Sequence, residues 1–316
     1  MSSFLIVGTG GVGGLLGGLL GLAGHQVGFV ARGAHLAAIN ERGLVLRGPD
    51  GERTLPLEEG RIRAAEDPAA FGKVDYALVT VKAWQVEEMA PRLRPALTPE
   101  SAVVPLQNGV DAIPTLTHAL GDAPVLGSLC HMLSWIGGPG VIEWMKPAPV
   151  VTLGARSAPQ RASVERLAGE LTKAGITTKI SDDIDVALWE KLMFLAPMGS
   201  VGAVTRSFAG VFRTVPESRA LLARAMEEIA AVARARGTHL TADAVTRTLA
   251  FVDSLPPEAN ASTYRDIVAG RPSELGNLTG AVVRLGKEAG VPTPTNDFLL
   301  AALLPQEKAA RERSLK

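Results

Sequence analysis

Residues 4–32 read FLIVGTGGVGGLLGGLLGLAGHQVGFVAR. A short apolar run, Phe4 to Val7, leads into a glycine cluster, a Leu/Gly segment and a second apolar run, Val27 to Val30. The order strand, glycine turn, helix, strand is the start of a βαβ unit. Gly8, Gly10 and Gly13 fit G-x-G-x-x-G. In that reading Gly8 turns the chain sharply off the strand, Gly10 lets main chain approach a pyrophosphate, and Gly13 lets the helix lie close to the sheet. The loop Gly8-Thr9-Gly10-Gly11-Val12-Gly13 then presents helix-start N–H groups to phosphate, where the helix dipole favours negative charge.

The same stretch has a rival reading. Residues 1–31 contain no Asp, Glu, Lys or Arg, and Gly10, Gly14 and Gly18 repeat the G-x-x-x-G spacing of membrane helices. Against it, no basic segment precedes the apolar run and no small-residue cleavage pattern follows it. Glycine is also too dense in the first turn for a good helix, where a phosphate loop needs it. The second apolar run decides for the βαβ unit.

That run ends at Arg32, followed by Gly33, with no acid nearby. An NAD site places Asp or Glu there to bond the ribose 2′-hydroxyl. A guanidinium instead suits a 2′-phosphate by charge and bidentate geometry. The expected cofactor is therefore NADP(H).

Composition narrows the function classes. The 316 residues are 47% hydrophobic, enough for two cores, and Lys+Arg and Asp+Glu number 32 each. A balanced chain argues against a general nucleic-acid or anionic-membrane binder. The single cysteine, Cys130, excludes an internal disulfide and a multi-cysteine metal site, as in a reducing cytoplasm. The five histidines form no H-x-x-x-H or H-E-x-x-H pair, so no metal site is expected.

Further along, the pattern predicts a helix over 35–41, a hairpin over 43–57 turning at 48–51, and buried strands over 75–81, 102–106 and 124–129. Two short strands follow at 141–144 and 150–153, then a helix over 159–174 and a strand over 176–180. Lys82 and Asn108 fall at strand carboxyl ends, the edge where open α/β sheets bind ligands. From Ser181 onward the periods are helical. A helix over 182–195 carries Lys191 in an apolar neighbourhood, and Pro197 is expected to kink or end it. Another helix is expected to begin near Ser273, with Glu274 in its first turn. The last helix is read over 296–304, with a fraying charged tail from Glu307.

Taken together the motifs resemble the ketopantoate reductase (2-dehydropantoate 2-reductase) family over nearly the whole chain. They are the glycine loop with Arg32, Val81-Lys82-Ala83-Trp84-Gln85, Gln107-Asn108-Gly109, Trp189-Glu190-Lys191-Leu192, Ser262 with Asp266 and Glu274, and Gly290 to Pro294. Each is weak alone; six in order are specific. The resemblance implies an α/β fold with an N-terminal Rossmann-type, doubly wound sheet, residues 1–180, binding NADP(H). An all-helical substrate and catalytic domain, residues 181–316, follows.

It also implies an NADP-dependent oxidoreductase of pantothenate biosynthesis that moves a hydride to the keto carbon of a 2-keto acid. Lys191 matches the lysine that protonates the forming alkoxide, and Glu274 the acid beside it. Ser262 matches a ligand of the substrate carboxylate. Asn108 matches an amide that positions substrate or lysine, and Lys82 a basic residue beside the cofactor. Asn108 and Glu274 also count among the cofactor contacts.

Two family asparagines are replaced here by Leu195 and Gly199, and a third position holds Ala259, with Asn260 one residue later. These departures leave as alternatives a paralogue acting on another 2-keto acid or carbonyl compound and a non-catalytic NADP(H)-binding sensor. The expected setting is cytoplasmic, with a small-molecule substrate, no nucleic acid and no membrane. Apolar stripes on helical domains often pair two copies, which leaves a homodimer open.

Overall fold

The computed structural model describes residues 1–121 and 123–314, and the chain divides into two units. The first comprises Met1–Gln107 and Ala112–Ile184; the second comprises Asn108–Asp111 and Asp185–Lys316. A single break near residue 180 was expected. The short return of Asn108–Asp111 to the second unit leaves no local periodicity to detect.

In chain order the first unit contains β1 (Ser3–Val7), α1 (Gly11–Leu22), β2 (Gln26–Val30), α2 (Gly33–Arg42), β3 (Leu44–Gly48), β4 (Gly51–Leu55), β5 (Ile62–Ala65) and β6 (Tyr76–Val79). It continues with α3 (Val86–Leu93), β7 (Ala102–Pro105), α4 (Ala112–Leu120), β8 (Gly127–Gly138), β9 (Val141–Gly154), α5 (Arg161–Lys173) and β10 (Thr177–Ile180). A parallel sheet has the order β5-β2-β1-β6-β7. It grows outward from β1 in both directions, the doubly wound arrangement, with its switch point between β1 and β6.

The other strands form a second sheet, β10-β9-β3-β4, with β8 antiparallel to β9. α1 is packed against both sheets. A side chain at Gly17 would meet Ile6 and Phe29, each at 2.6 Å, from the parallel sheet. One at Gly14 would meet Ile142 at 2.6 Å, and one at Gly18 would meet Leu46 at 2.8 Å, from the second. The G-x-x-x-G spacing therefore does serve close packing, against two sheets rather than a neighbouring membrane helix. Among the described residues no helix is long and apolar enough to cross a membrane.

The strands expected over 141–144 and 150–153 are one strand, β9, which forms a long hairpin with β8; of the strand expected over 124–129 only 127–129 lie in β8, and Val125 bridges Val103 of β7. Pro147 and Pro149 lie inside β9. They fall in a stretch where the register shifts, between His131↔Val150 and Leu133↔Met145. No ladder N–H is required there, so the prolines cost the strand little.

Among the described residues the regular elements of the second unit are all helices: α6 (Ile184–Thr205), α7 (Ala209–Phe212), α8 (Pro216–Ala235), α9 (Ala244–Ser254), α10 (Ser262–Val268), α11 (Thr279–Ala289) and α12 (Pro294–Ser314). Its core includes Leu192, Met193, Val201, Met226, Ile229, Leu285 and Leu299. α6 runs on past Pro197 for two turns. Met193, Ala196, Met198 and Val201 are all buried, and this packing on both sides of the proline outweighs the lost helical bond.

α12 likewise exceeds its expected end at Leu304 and holds Glu307 buried. The predicted fraying from Glu307 is therefore incorrect through Ser314; residues 315–316 lie outside the described residues. The start of α12 is held by Glu228 on α8, whose carboxylate accepts from the N–H groups of Thr295 (2.8 Å) and Asn296 (2.9 Å).

Candidate active site

The glycine loop joins β1 to α1 at the switch point of the parallel sheet. Gly8 has φ +105°, and a side chain there would lie 2.7 Å from the Val81 nitrogen. Only glycine fits both conditions. Thr9 ties the loop to the end of β2, its N–H and its hydroxyl both donating to the Val30 carbonyl at 3.0 Å.

At Gly10 nothing lies within 4 Å of the direction a side chain would take. The first helical bond runs from the Gly14 N–H to the Gly10 carbonyl, at 2.7 Å. The N–H groups ahead of it are those a helix start leaves to a partner. No side chain caps α1 and no acid stands in its first turn. An open flank, an uncapped helix start and no competing carboxylate together fit the pyrophosphate of a dinucleotide.

The neighbouring glycines do different work. A side chain at Gly11 would strike the Ser134 carbonyl of β8 at 2.4 Å, and one at Gly13 would strike the Thr80 hydroxyl and the Gly8 carbonyl at 2.3 Å. Val12, between them, packs on the first unit's core. Thr80, missed in the sequence, supports the turn from below by donating to the Gly8 carbonyl at 2.7 Å.

Gln107 also carried no assigned role. Its amide nitrogen donates to the carbonyls of Val79 and Val81, both at 2.9 Å, and so joins the ends of β6 and β7. Lys82 is exposed just past β6, with its ammonium 5.9 Å from the centroid of the Trp84 ring. Its own N–H donates to the Gln85 side chain at 3.1 Å, which accounts for the spacing in Val81-Lys82-Ala83-Trp84-Gln85.

Arg32 lies two residues beyond β2, at the start of α2, exposed, and its side chain has no hydrogen bond or ion pair to any described residue. Its guanidinium is available to a phosphate. His35, one turn later, accepts from the Gly140 N–H through Nδ1 at 3.0 Å. Burial lowers its pKa and the nearby Thr9 main chain partly opposes the shift, so the ring is neutral above its ordinary range.

In the second unit, α6 presents Lys191, half-buried between the buried Trp189 and Leu192. Leu195 and Gly199 follow at four-residue steps on the same face. A side chain at Gly199 would lie 3.0 Å from Cβ of Thr263 on α10, the residue after Ser262. Ser262 is half-buried at the first position of α10.

Glu274 is buried and does not stand in the first turn of a helix as expected. It lies in a turn ahead of α11, because its carbonyl accepts from the N–H groups of Asn277 (3.0 Å) and Leu278 (2.9 Å). Its Oε2 accepts from Nδ2 of Asn108 at 3.0 Å. The Asn108 segment is anchored beside it: Asp111 pairs with Arg284 at 2.6 Å, and Gly109, at φ +96°, passes close to the Asn277 carbonyl. The expected residues thus form two sets. The glycine loop, Arg32 and Lys82 belong to the first unit, and Asn108, Lys191, Ser262 and Glu274 to the second.

The profile of the family described as Ketopantoate reductase PanE/ApbA matches residues 4–157, and that of its C-terminal part matches residues 183–307. The chain belongs to the ketopantoate reductase family. A 2-dehydropantoate 2-reductase of Mesorhizobium japonicum is 30% identical over 317 residues, covering 94% of this chain and 95% of that protein. The crystal structure of a PanE/ApbA family ketopantoate reductase from Ralstonia eutropha JMP134 superposes with a TM-score of 0.87 at 29% identity, covering 98% of this chain and all of that one. A D-mandelate dehydrogenase bound to NADH and anilino(oxo)acetate shares the fold, with a TM-score of 0.86 at 22% identity. Membership makes this chain an oxidoreductase of an NAD(P)H-using family with an α/β fold.

Proposed function

We propose that the protein reduces a 2-keto acid with NADPH, and that 2-dehydropantoate, reduced to pantoate, is its substrate. One observation carries the assignment of the site. Asn108 and Glu274 are 166 residues apart in the chain and meet at 3.0 Å in the unit that holds Lys191. The preference for NADPH over NADH rests on Arg32, which has no acid beside it to bond a ribose 2′-hydroxyl.

A nicotinamide cofactor held by the glycine loop, Arg32 and Lys82 would supply the hydride for the keto carbon. The chain supplies charge and protons. The Lys191 ammonium faces the keto oxygen, stabilises the negative charge that grows there and gives up a proton from Nζ. Glu274, oriented by Asn108, holds the far side of that proton-donating group and of the substrate. The Ser262 hydroxyl donates to the substrate carboxylate. Lys82 and Arg32 offset the cofactor phosphates, and the Gly8–Gly13 loop receives the pyrophosphate on main-chain N–H groups.

A second reading keeps the reaction and changes the substrate. At Gly199 the Thr263 side chain already occupies the adjoining space, so an amide there would need Thr263 to move. Leu195 offers no donor or acceptor. A site of this kind favours a 2-keto acid with an apolar chain over one that carries a hydroxyl.

Turnover of NADPH with 2-dehydropantoate and a series of 2-keto acids, for wild type and Lys191→Ala, separates the two readings. The highest kcat/KM for 2-dehydropantoate supports the first and excludes the second; the highest for an apolar 2-keto acid does the reverse. Activity unchanged in Lys191→Ala rejects the assigned mechanism.

A further inference from the structure

The carboxyl-terminal half of α12 is tied to the turn that carries Glu274. Glu307 and Arg311 are four residues apart and share one helical face. The Glu307 carboxylate, only 4% exposed, accepts from the Ser273 N–H at 3.0 and 3.2 Å and from the Ser273 hydroxyl at 2.6 Å. Arg311 pairs with Glu307 at 2.7 Å and donates to the Ser273 carbonyl at 2.9 Å.

The Ser273 hydroxyl in turn accepts from the Leu275 N–H at 3.2 Å, so the residues on both sides of Glu274 enter one network. Arg313 adds a bond to the Gly270 carbonyl at 3.1 Å. Ser273 is fully buried, and its N–H, hydroxyl and carbonyl are all engaged.

We propose that Glu307 and Arg311 are positioning residues of the active site, which set the main chain of Ser273 and thereby the direction of the Glu274 carboxylate. The proposal rests on the reading of Glu274 as a site residue. A buried carboxylate is costly unless paired and fully hydrogen-bonded, and Glu307 meets that condition only in the arrangement that holds Ser273. Displacing the turn leaves Glu307 and Arg311 with polar groups unmatched, so the pair penalises departures from one geometry more than apolar packing would. A site carboxylate misplaced by about 1 Å can cost about a hundredfold in rate.

The test uses the full chain, with kcat and KM for the keto acid, the Kd for NADPH and the melting temperature measured on each variant. The variants are Glu307→Gln, Glu307→Ala, Glu274→Ala and the double variant Glu274→Ala/Glu307→Ala. Glu307→Ala is expected to lower kcat about tenfold or more, with the NADPH Kd within about twofold. Glu307→Gln keeps an acceptor for Ser273 and is expected to recover part of the loss; it carries the test if Glu307→Ala does not fold. In the Glu274→Ala background the second substitution is expected to cost nothing further, because a residue acting through Glu274 has nothing left to position.

Wild-type kcat in the Glu307 variants beside an impaired Glu274→Ala overturns the proposal and leaves the reading of Glu274 standing. Additive losses in the double variant overturn it too. Full activity in Glu274→Ala removes the reading and the proposal together.

Discussion

Replacing Arg32 by alanine removes an exposed guanidinium that no other group among the described residues uses. The fold loses nothing measurable by this, and the melting temperature of the free protein should stay within about a degree. Against NADPH the loss is specific. One cation about 4 Å from a phosphate carrying two negative charges gains roughly 2 kcal/mol even at the dielectric constant of water. At 25 °C that is about a thirtyfold weaker Kd for NADPH, and NADH, which lacks the 2′-phosphate, should change less than about threefold. The assay is a fluorescence titration of reduced cofactor against wild type and Arg32→Ala at low ionic strength, repeated in added salt, where the difference should shrink through screening. Equal losses for the two cofactors, or an unchanged NADPH Kd, would refute the assignment of Arg32 to the 2′-phosphate.

The glycine loop divides into positions that serve the ligand and positions that serve the fold. Gly10→Ala should leave thermal stability unchanged and weaken NADPH binding about tenfold or more, whereas Gly13→Ala should destabilise by about 1–3 kcal/mol through its collision with Thr80 and the Gly8 carbonyl, visible in a urea melt. Lys191→Ala should lower kcat by about a hundredfold or more with NADPH affinity preserved, read by single-turnover kinetics beside a binding titration.

Stability should fall on acidification through two histidines. Burial is the main cause of lowered pKa values at His25 and His35, so the unfolded chain binds more protons than the folded one below the ordinary value of 6.5. Their contribution is complete above that value and is lost as the pH drops toward the lower folded pKa. A protonated His35 would also set an Nδ1–H against the Gly140 N–H. Urea melts at about pH 7.5 and about pH 5.5 should show the loss in wild type and a smaller one in His35→Gln, and equal slopes would refute this account.

Local patterning carried most of the architecture. Strand, glycine turn and helix follow one another within residues 4–30, and each is recognised from its neighbours, as are the Gly48-Pro49-Asp50-Gly51 turn between β3 and β4 and the helical periods after residue 184. The glycine loop, Arg32 and Lys82 could be placed on the sheet's carboxyl edge because a strand end is itself a local feature. Where a residue's setting depends on distant chain, the reading failed. Pro197 looks like a helix end by propensity and the local pattern carries the last helix only to Leu304, yet α6 and α12 continue because the residues on both sides of Pro197 and Pro305 are packed. The local pattern gives two short strands where β9 is continuous, because the register shift against β8 that accommodates Pro147 and Pro149 leaves no local mark.

The sequence by itself determined the opening strand–turn–helix–strand order, the glycine loop, the absence of a ribose-binding acid and, through six short motifs, the family; it left β5 and α4 unread. Tertiary structure alone decided that Asn108 meets Glu274, that Gly199 faces Thr263, and that the charged end of α12 is a buried support for Ser273 rather than a loose tail. The division has a physical basis. Turn and helix preferences arise from sterics and hydrogen bonds within a few residues, and so leave a periodic mark. A contact between residues far apart in the chain is stabilised by burial and by matched donors and acceptors, and neither leaves a pattern in the local sequence around either partner.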